Sequence, residues 1–238
     1  MASAPAASSE SEEASENTTL PALSVISRTV GWSQRTEWAW LEGETGLLTC
    51  WPAVEKLEKL LDIIPKRNIC VQAGGALGVF PAYLARRFRL VLTFEPNPVS
   101  FRALTANVSD LVNVTPMQAA LSNEAGFADL LCPDGYKANT GAWYIRPGGA
   151  GAVQRIKLDD LNLPGLDLLM LDVEGHEMFA LMGALKTIRK FRPPIVLEDK
   201  ERCRVRSGVP PDWLATFCQQ VGYSIAGPLY NDQLLVPI

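Results

Sequence analysis

Three apolar runs in this chain end in a carboxylate. Leu90–Phe94 leads into Glu95, Leu168–Leu171 into Asp172, and Ile195–Leu197 into Glu198. In an open parallel sheet, ligands bind outside the carboxyl ends of the strands, where the strand order reverses. An acid placed there can accept the ribose hydroxyls of a nucleotide or take a proton from a reacting group. Any one of the three reads as well as a helix cap or a solvated loop carboxylate; three together, beside a glycine turn, favour a site. That turn is Gly74-Gly75-Ala76-Leu77-Gly78. It follows the strand-like run Ile69–Ala73 and precedes Phe80, Tyr83, Leu84 and Phe88 at helical spacing, so helix-start amides and small residues are expected to face the ligand. The segment Asp172-Val173-Glu174-Gly175-His176-Glu177 adds a second acid and the single histidine. Asp172, Glu174 and His176 are candidate proton acceptors, with Asp172 first because it stands at the strand's end.

Positioning these groups requires strands separated by helices. Pro52 starts a helix with Val54, Leu57, Leu60, Leu61 and Ile64 on one face, closed by Pro65. Asn97 is a good N-cap and Pro98 a good first helical residue for a helix carrying Phe101, Leu104 and Val108. Val112–Pro116 reads as a third strand, with Gln118–Ser122 continuing the edge. Residues 127–157 read as a strand excursion around a loop with Gly135, Gly141, Gly148, Gly149 and Gly151, which is either a lid or plain disorder. Leu168–Leu171 has the continuous apolar character of a central parallel strand. One helix is expected to carry Met178, Leu181, Met182, Leu185 and Ile188. Pro210 and Pro211 open another, with Leu214, Phe217, Cys218 and Val221 closed by Gly222. Tyr223–Ala226 and Gln233–Pro237 then form two strands joined around Gly227-Pro228.

Composition narrows the function. Residues 1–19 are almost entirely Ala, Ser, Glu, Pro, Asn and Thr, hold four acids and no base, and read as a disordered acidic tail rather than a secretory leader. The chain has 26 acids and 22 bases, so without those four acids the body is neutral and lacks the basic stripe of a nucleic-acid-binding protein. No run is long enough to span a membrane. Five cysteines without CxxC spacing argue for a reducing, intracellular compartment and against structural zinc; no metal is assigned. Residues 20–65, with Trp32, Trp38 and Trp40, form an N-terminal cover whose tryptophans pack on the domain, and 66–238 form the main domain. Oligomeric state is not legible.

The glycine spacing passes as a loose dinucleotide fingerprint, which keeps NAD open, but the strand ending in Asp-Val-Glu-Gly is foreign to that pattern. Phe94-Glu95-Pro96-Asn97-Pro98, Ala119-Ala120-Leu121-Ser122, Leu171–Glu177, Gly183-Ala184 and Leu197-Glu198 occur in an order that resembles the FkbM-type methyltransferases. The resemblance implies an α/β class I methyltransferase fold: a Rossmann-like seven-stranded sheet, mostly parallel with an antiparallel last strand and helices on both faces. It also implies S-adenosylmethionine as cofactor and an oxygen of a small molecule or glycan as acceptor. On that resemblance, Gln72, Gly74, Gly75 and Gly78 surround the methionine part of the cofactor. Glu95, with Pro96 and Asn97, holds the ribose, and Ala119, Ala120 and Leu121 lie near the adenine. Asp172, Glu174, His176 and Glu198 line the reaction side. The family usually has an acid where this chain has Gln72, which leaves a non-catalytic binding or assembly protein as the competing reading. The run from Gln72 to Pro81 most resembles phage-encoded members.

Overall fold

A computed structural model describes residues 23–27, 37–41, 57–58, 61, 64–135, 139–147, 151, 153–229 and 232–238. The acidic tail and the prolines and glycines outside these ranges, with Trp32, Pro52, Val54 and Leu60, lie beyond the described residues. Near the N-terminus, β1 (Leu23–Ser27) and β2 (Glu37–Leu41) pair antiparallel. Next come β3 (Ile69–Ala73), α1 (Val79–Ala85), β4 (Leu90–Phe94), α2 (Pro98–Val108) and β5 (Val114–Met117). A smaller sheet interrupts the alternation: β6 (Ala120–Leu121), β7 (Gly126–Leu131), β8 (Tyr144–Pro147) and β9 (Val153–Ile156). The chain returns with β10 (Leu168–Leu171), α3 (Glu177–Met182), α4 (Leu185–Phe191), β11 (Ile195–Glu198), α5 (Glu201–Arg206), α6 (Trp213–Val221), β12 (Tyr223–Leu229) and β13 (Asp232–Pro237).

The large sheet has seven strands in the order β5-β4-β3-β10-β11-β13-β12. The first five run parallel, and β13 lies antiparallel to both neighbours. Strand order reverses between β3 and β10, so the switch point lies where the Gly74 turn and Asp172 leave their strands. Side chains alternate across the sheet because the strand period is two. Cys70, Val91, Leu168, Met170 and Val196 pack on one face with Val79, Tyr83 and Leu84 of α1, with Leu57, Leu61 and Ile64, and with Trp38. Val71, Leu92, Leu169, Leu171 and Leu197 pack on the other with Leu181, Ile188, Leu214 and Phe217. Trp38 is 1% exposed, so its expected packing role holds. Asn107 of α2 laces the N-terminal pair to the body, donating to the Ala39 carbonyl at 2.9 Å and accepting from its N–H at 2.7 Å.

Several expected elements differ in detail. The third strand starts at Val114, and Val112 is fully exposed. Gln118–Ser122 does not extend the large sheet: Ala120 and Leu121 pair with β9. The single helix expected after Asp172 is two. A side chain at Gly183 would meet the Ser122 carbonyl oxygen at 1.9 Å, so this position must stay bare where the chain passes under the small sheet. The Asp159 carboxylate then accepts from the N–H groups of Lys186 and Thr187, capping a new helix start. Met182 is half exposed in consequence. Gly227-Pro228 is not the turn between the last strands. It lies inside β12, at a register shift between Ile225 and Gly227. Helix α5 went unrecognised in the sequence, because its alternation of charged and small residues carries no apolar stripe.

Candidate functional site

A cavity of 220 Å³ opens at the switch point. Its walls include Gly74, Gly75, Glu95, Pro96, Asn97, Ala119, Ala120, Leu121, Asp172, Glu174 and His176, so most of the residues singled out in the sequence converge there. Gln72, Gly78 and Glu198 do not reach it.

The turn after β3 is held from beneath. The N–H groups of Gly74 and Gly75 both donate to the Phe94 carbonyl at 2.9 Å, and that of Ala76 donates to Glu95 Oε2 at 2.7 Å. These three amides are spent inside the protein, although Gly74, Gly75 and Ala76 themselves line the cavity, as expected of the small residues of the turn. The glycines serve close approach instead. A Cβ on Gly74 would stand 1.8 Å from the Asp172 carbonyl oxygen, and one on Gly75 would strike Thr93 and Leu104. Gly78, at φ 91°, packs against Leu104 and Val108 of α2 and ends the turn where α1 begins. It is a packing glycine.

Gln72 is likewise structural. Fully buried, it donates from Nε2 to the Gly74 carbonyl at 2.8 Å and accepts from Thr93 Oγ1 at 2.6 Å. A carboxylate in its place could not donate to Gly74. The amide is therefore matched to this turn, and an acid introduced here would orphan a buried carbonyl rather than repair a site.

Glu95 faces the cavity with its carboxylate fixed by two backbone donors, Ala76 and, at 2.8 Å to Oε1, Asn97. Each oxygen keeps lone pairs for further donors. Burial raises its pKa to about 7, against the lowering effect of the two N–H bonds. Asp172 is also raised to about 7, first by burial and then by the nearby charges of Glu174 and Asp232. Glu174 stands on the cavity wall at φ 53°; Cys203 Sγ donates to its Oε2 at 3.3 Å, and Lys200 Nζ lies 3.8 Å from its Oε1. Glu198 sits behind this wall in contact with Lys200, its pKa raised to about 8 by burial and by Asp172. His176 is a weak candidate for a base. It is 3% exposed, its Nε2 is 3.0 Å from Ser122 Oγ, and its ring stacks on Phe179. Burial, then Arg155, lowers its pKa to about 3, so it stays neutral.

The opposite wall was legible only as a glycine-rich excursion. Asn139, Thr140, Gly141, Ala142, Trp143, Tyr144 and Ile145 come from β8 and the turn before it, which favours the lid reading for these residues. The Arg206 guanidinium lies 3.9 Å from the Tyr144 ring centroid and donates to the Glu174 carbonyl at 2.6 Å, joining this wall to the Asp172 loop. Lys200 and Arg202 complete the lining. Arg202 belongs to a run of arginines, with Arg204 and Arg206, that reads in the sequence as a solvated basic face, and Lys200 carries no signal there. Cys70, Cys203 and Cys218 are buried free thiols, and among the described residues no helix is long and apolar enough to cross a membrane.

Comparison with known proteins agrees with this layout. The model of the methyltransferase FkbM domain matches residues 73–225. Hexuronic acid methyltransferase AglP of Haloferax volcanii is 30% identical over 158 residues, covering 64% of this chain and 62% of that protein. Methyltransferase sdnD of Sordaria araneosa is 26% identical, covering 60% of this chain and 70% of that one. Neither lends support to a phage origin. Among solved structures, methyltransferase FkbM from Methylobacillus flagellatus superposes with a TM-score of 0.50 at 16% identity, over 71% of this chain and 43% of that one. A Pyrococcus abyssi tRNA (uracil-54, C5)-methyltransferase, solved with S-adenosyl-L-homocysteine, also gives 0.50 at 14% identity, over 89% of this chain and 43% of that one. At such identities these two share the fold alone, a class I methyltransferase sheet. The matched stretch takes in the glycine turn, all three acid-ended strands and the small sheet that walls the cavity, and the chain belongs to the FkbM methyltransferase family.

Proposed function

We propose that the chain binds S-adenosylmethionine and methylates an oxygen of a small molecule or glycan. The observation that carries this reading is that Glu95 and Asp172 occupy walls of one cavity at the switch point of the sheet. The residues present suit the cofactor. Glu95 offers fixed acceptors to two ribose hydroxyls, and Ala119, Ala120, Leu121 and Phe80 offer an apolar slot for the base. Asn97 Nδ2, on the same wall, is a buried donor without a partner among the described residues. When bound, this cofactor supplies a sulfonium methyl group that needs no further activation. The protein's work is then to orient the acceptor and receive its proton. In this reading Asp172 receives that proton, in a cavity that Trp143 and Tyr144 also wall. AglP is named for a hexuronic acid, which supports a sugar as acceptor.

Gln72 and the neutral, hydrogen-bonded His176 favour one second reading: a family member that binds the cofactor without turnover. Calorimetry with S-adenosylmethionine, S-adenosylhomocysteine and NAD tests the first step. Production of S-adenosylhomocysteine over a panel of sugars, hexuronic acids included, tests the second. Binding of NAD alone, or of none of the three, overturns the proposal; cofactor binding without turnover on any acceptor favours the second reading.

A further inference from the structure

The segment from Asp172 to Glu177 reverses direction at two residues of positive φ, Glu174 at 53° and Gly175 at 101°. A side-chain-bearing residue rarely adopts this conformation without support from its surroundings. Here the start is fixed by β10, whose following residue Asp172 donates its N–H to the Ala73 carbonyl at 3.0 Å. The middle is held by a group that is neither in the cavity wall nor part of the chemistry assigned above. Glu177 is 4% exposed, and its Oε1 accepts from the Val173 N–H at 3.0 Å and from the Gly175 N–H at 3.3 Å. Those two amides bracket Glu174, so the side chain reaches back and grips the bend from inside. An acid in the first turn of a helix ordinarily serves the helix's own orphan amides. This one accepts from its own N–H and also from two amides of the loop before it.

We propose that Glu177 is a positioning residue of the reaction: its buried carboxylate fixes the bend on which Asp172 and Glu174 face the cavity. The inference rests on the reading that Asp172 receives the acceptor's proton. Arg206 holds the same bend through the Glu174 carbonyl, so Glu177 and Arg206 grip the loop at different backbone groups. With the inner contact removed, the β10 strand and α3 remain packed, but the direction of the Asp172 and Glu174 side chains is no longer fixed.

The test uses the full chain with Glu177→Gln, Glu177→Asp and Glu177→Leu. Glutamine keeps an oxygen at the same reach, so turnover and exchange protection of the Val173 and Gly175 amides should stay within about threefold of the parent. Leucine offers no acceptor. Exchange at those two amides in the cofactor-free protein should rise about tenfold or more while β10 and β11 are unchanged. Turnover should fall by about tenfold or more with S-adenosylhomocysteine affinity within about twofold. If the leucine variant does not fold, aspartate decides, because its shorter side chain withdraws the oxygen from both amides and should raise their exchange. Parent-like exchange in the decisive variant overturns the inference. So does parent-like turnover, or a glutamine variant as impaired as leucine. If no form of the chain binds either cofactor species, the functional reading falls, while the exchange comparison still decides what Glu177 does.

Discussion

The turn after β3 and the turn after β10 solve one problem in two ways. Each follows a buried parallel strand, contains positive-φ residues, and is gripped by a buried glutamate that accepts backbone N–H groups. In the first, the gripping carboxylate is Glu95, which belongs to the neighbouring strand's end and faces the cavity. In the second it is Glu177, which belongs to the following helix and faces the loop. A carboxylate with lone pairs left over on the cavity side can both shape its turn and bind a ligand. A carboxylate turned away from the cavity shapes its turn, and the cavity wall beside it is formed by Asp172 and Glu174. Under the proposed function, this comparison assigns affinity to the β3 side and turnover to the β10 side.

The comparison predicts that the two sides fail differently. Asp172→Asn should lower methyl transfer by ~10²–10⁴-fold, the usual cost of losing a general base, while calorimetry finds cofactor affinity unchanged. Loss of affinity with preserved turnover would reverse the assignment. The two turns also meet. Gly74 lies at φ 87° with its missing side chain aimed at the Asp172 carbonyl. Gly74→Ala should therefore cost about 3 kcal/mol or more in a denaturant melt. Gly135→Ala, at φ 80° with open space around it, is the control and should show only the roughly 1–2 kcal/mol cost of the conformation.

Glu95→Ala should weaken S-adenosylmethionine binding about tenfold or more, the equivalent of a charge-assisted hydrogen bond of about 1.5–3 kcal/mol. The rate at saturating cofactor should change less, and an equal fall in both would merge the two sides. The smallest effect concerns pH. Glu95, Asp172 and Glu177 all hold their protons to about pH 7 because burial disfavours the charge. The folded form thus keeps protons that the unfolded chain releases near its ordinary 4.5 or 3.8. The resulting stabilisation is full below that range and is lost as pH rises through about 7. His176 works in the opposite sense, its contribution present above 6.5 and lost as pH falls. Above its range the acids act alone, and Tm should drop by a few degrees between about pH 6.5 and about pH 8.5. A flat or rising Tm over that window would mean that these carboxylates are ionised in the folded protein.

Much of this was legible in the sequence, for a physical reason. Buried parallel strands advertise themselves as apolar runs, and the residue just beyond each run must lie at the sheet's edge, so Glu95, Asp172 and Glu198 could be placed from spacing alone. Direction could not. Glu198 points behind the wall to Lys200, and Gln72, though on the strand beside the site, is consumed by Gly74 and Thr93. Side-chain aim depends on partners distant in sequence, which periodicity does not report. Tyr144, Lys200 and Arg206 were hidden for the same reason. Their roles come from a small sheet and from a six-residue helix without an apolar stripe, with Lys200 just before its start, brought together only by the fold.

The order of the last two strands has its own consequence. β13 follows β12 in the chain yet lies between β12 and β11, antiparallel to both. The sheet cannot therefore be finished by adding strands to its rim in chain order. Until residues 232–237 slot into place, the Ile195–Glu198 strand presents an open edge of unpaired amides and carbonyls, and the Tyr223–Leu229 strand drifts without a neighbour. Open edges recruit other chains. Interruption of this final insertion leaves the Ile195–Glu198 strand as the bare margin of a five-stranded sheet, so these few residues cover an edge that could otherwise pair with other chains while the molecule folds.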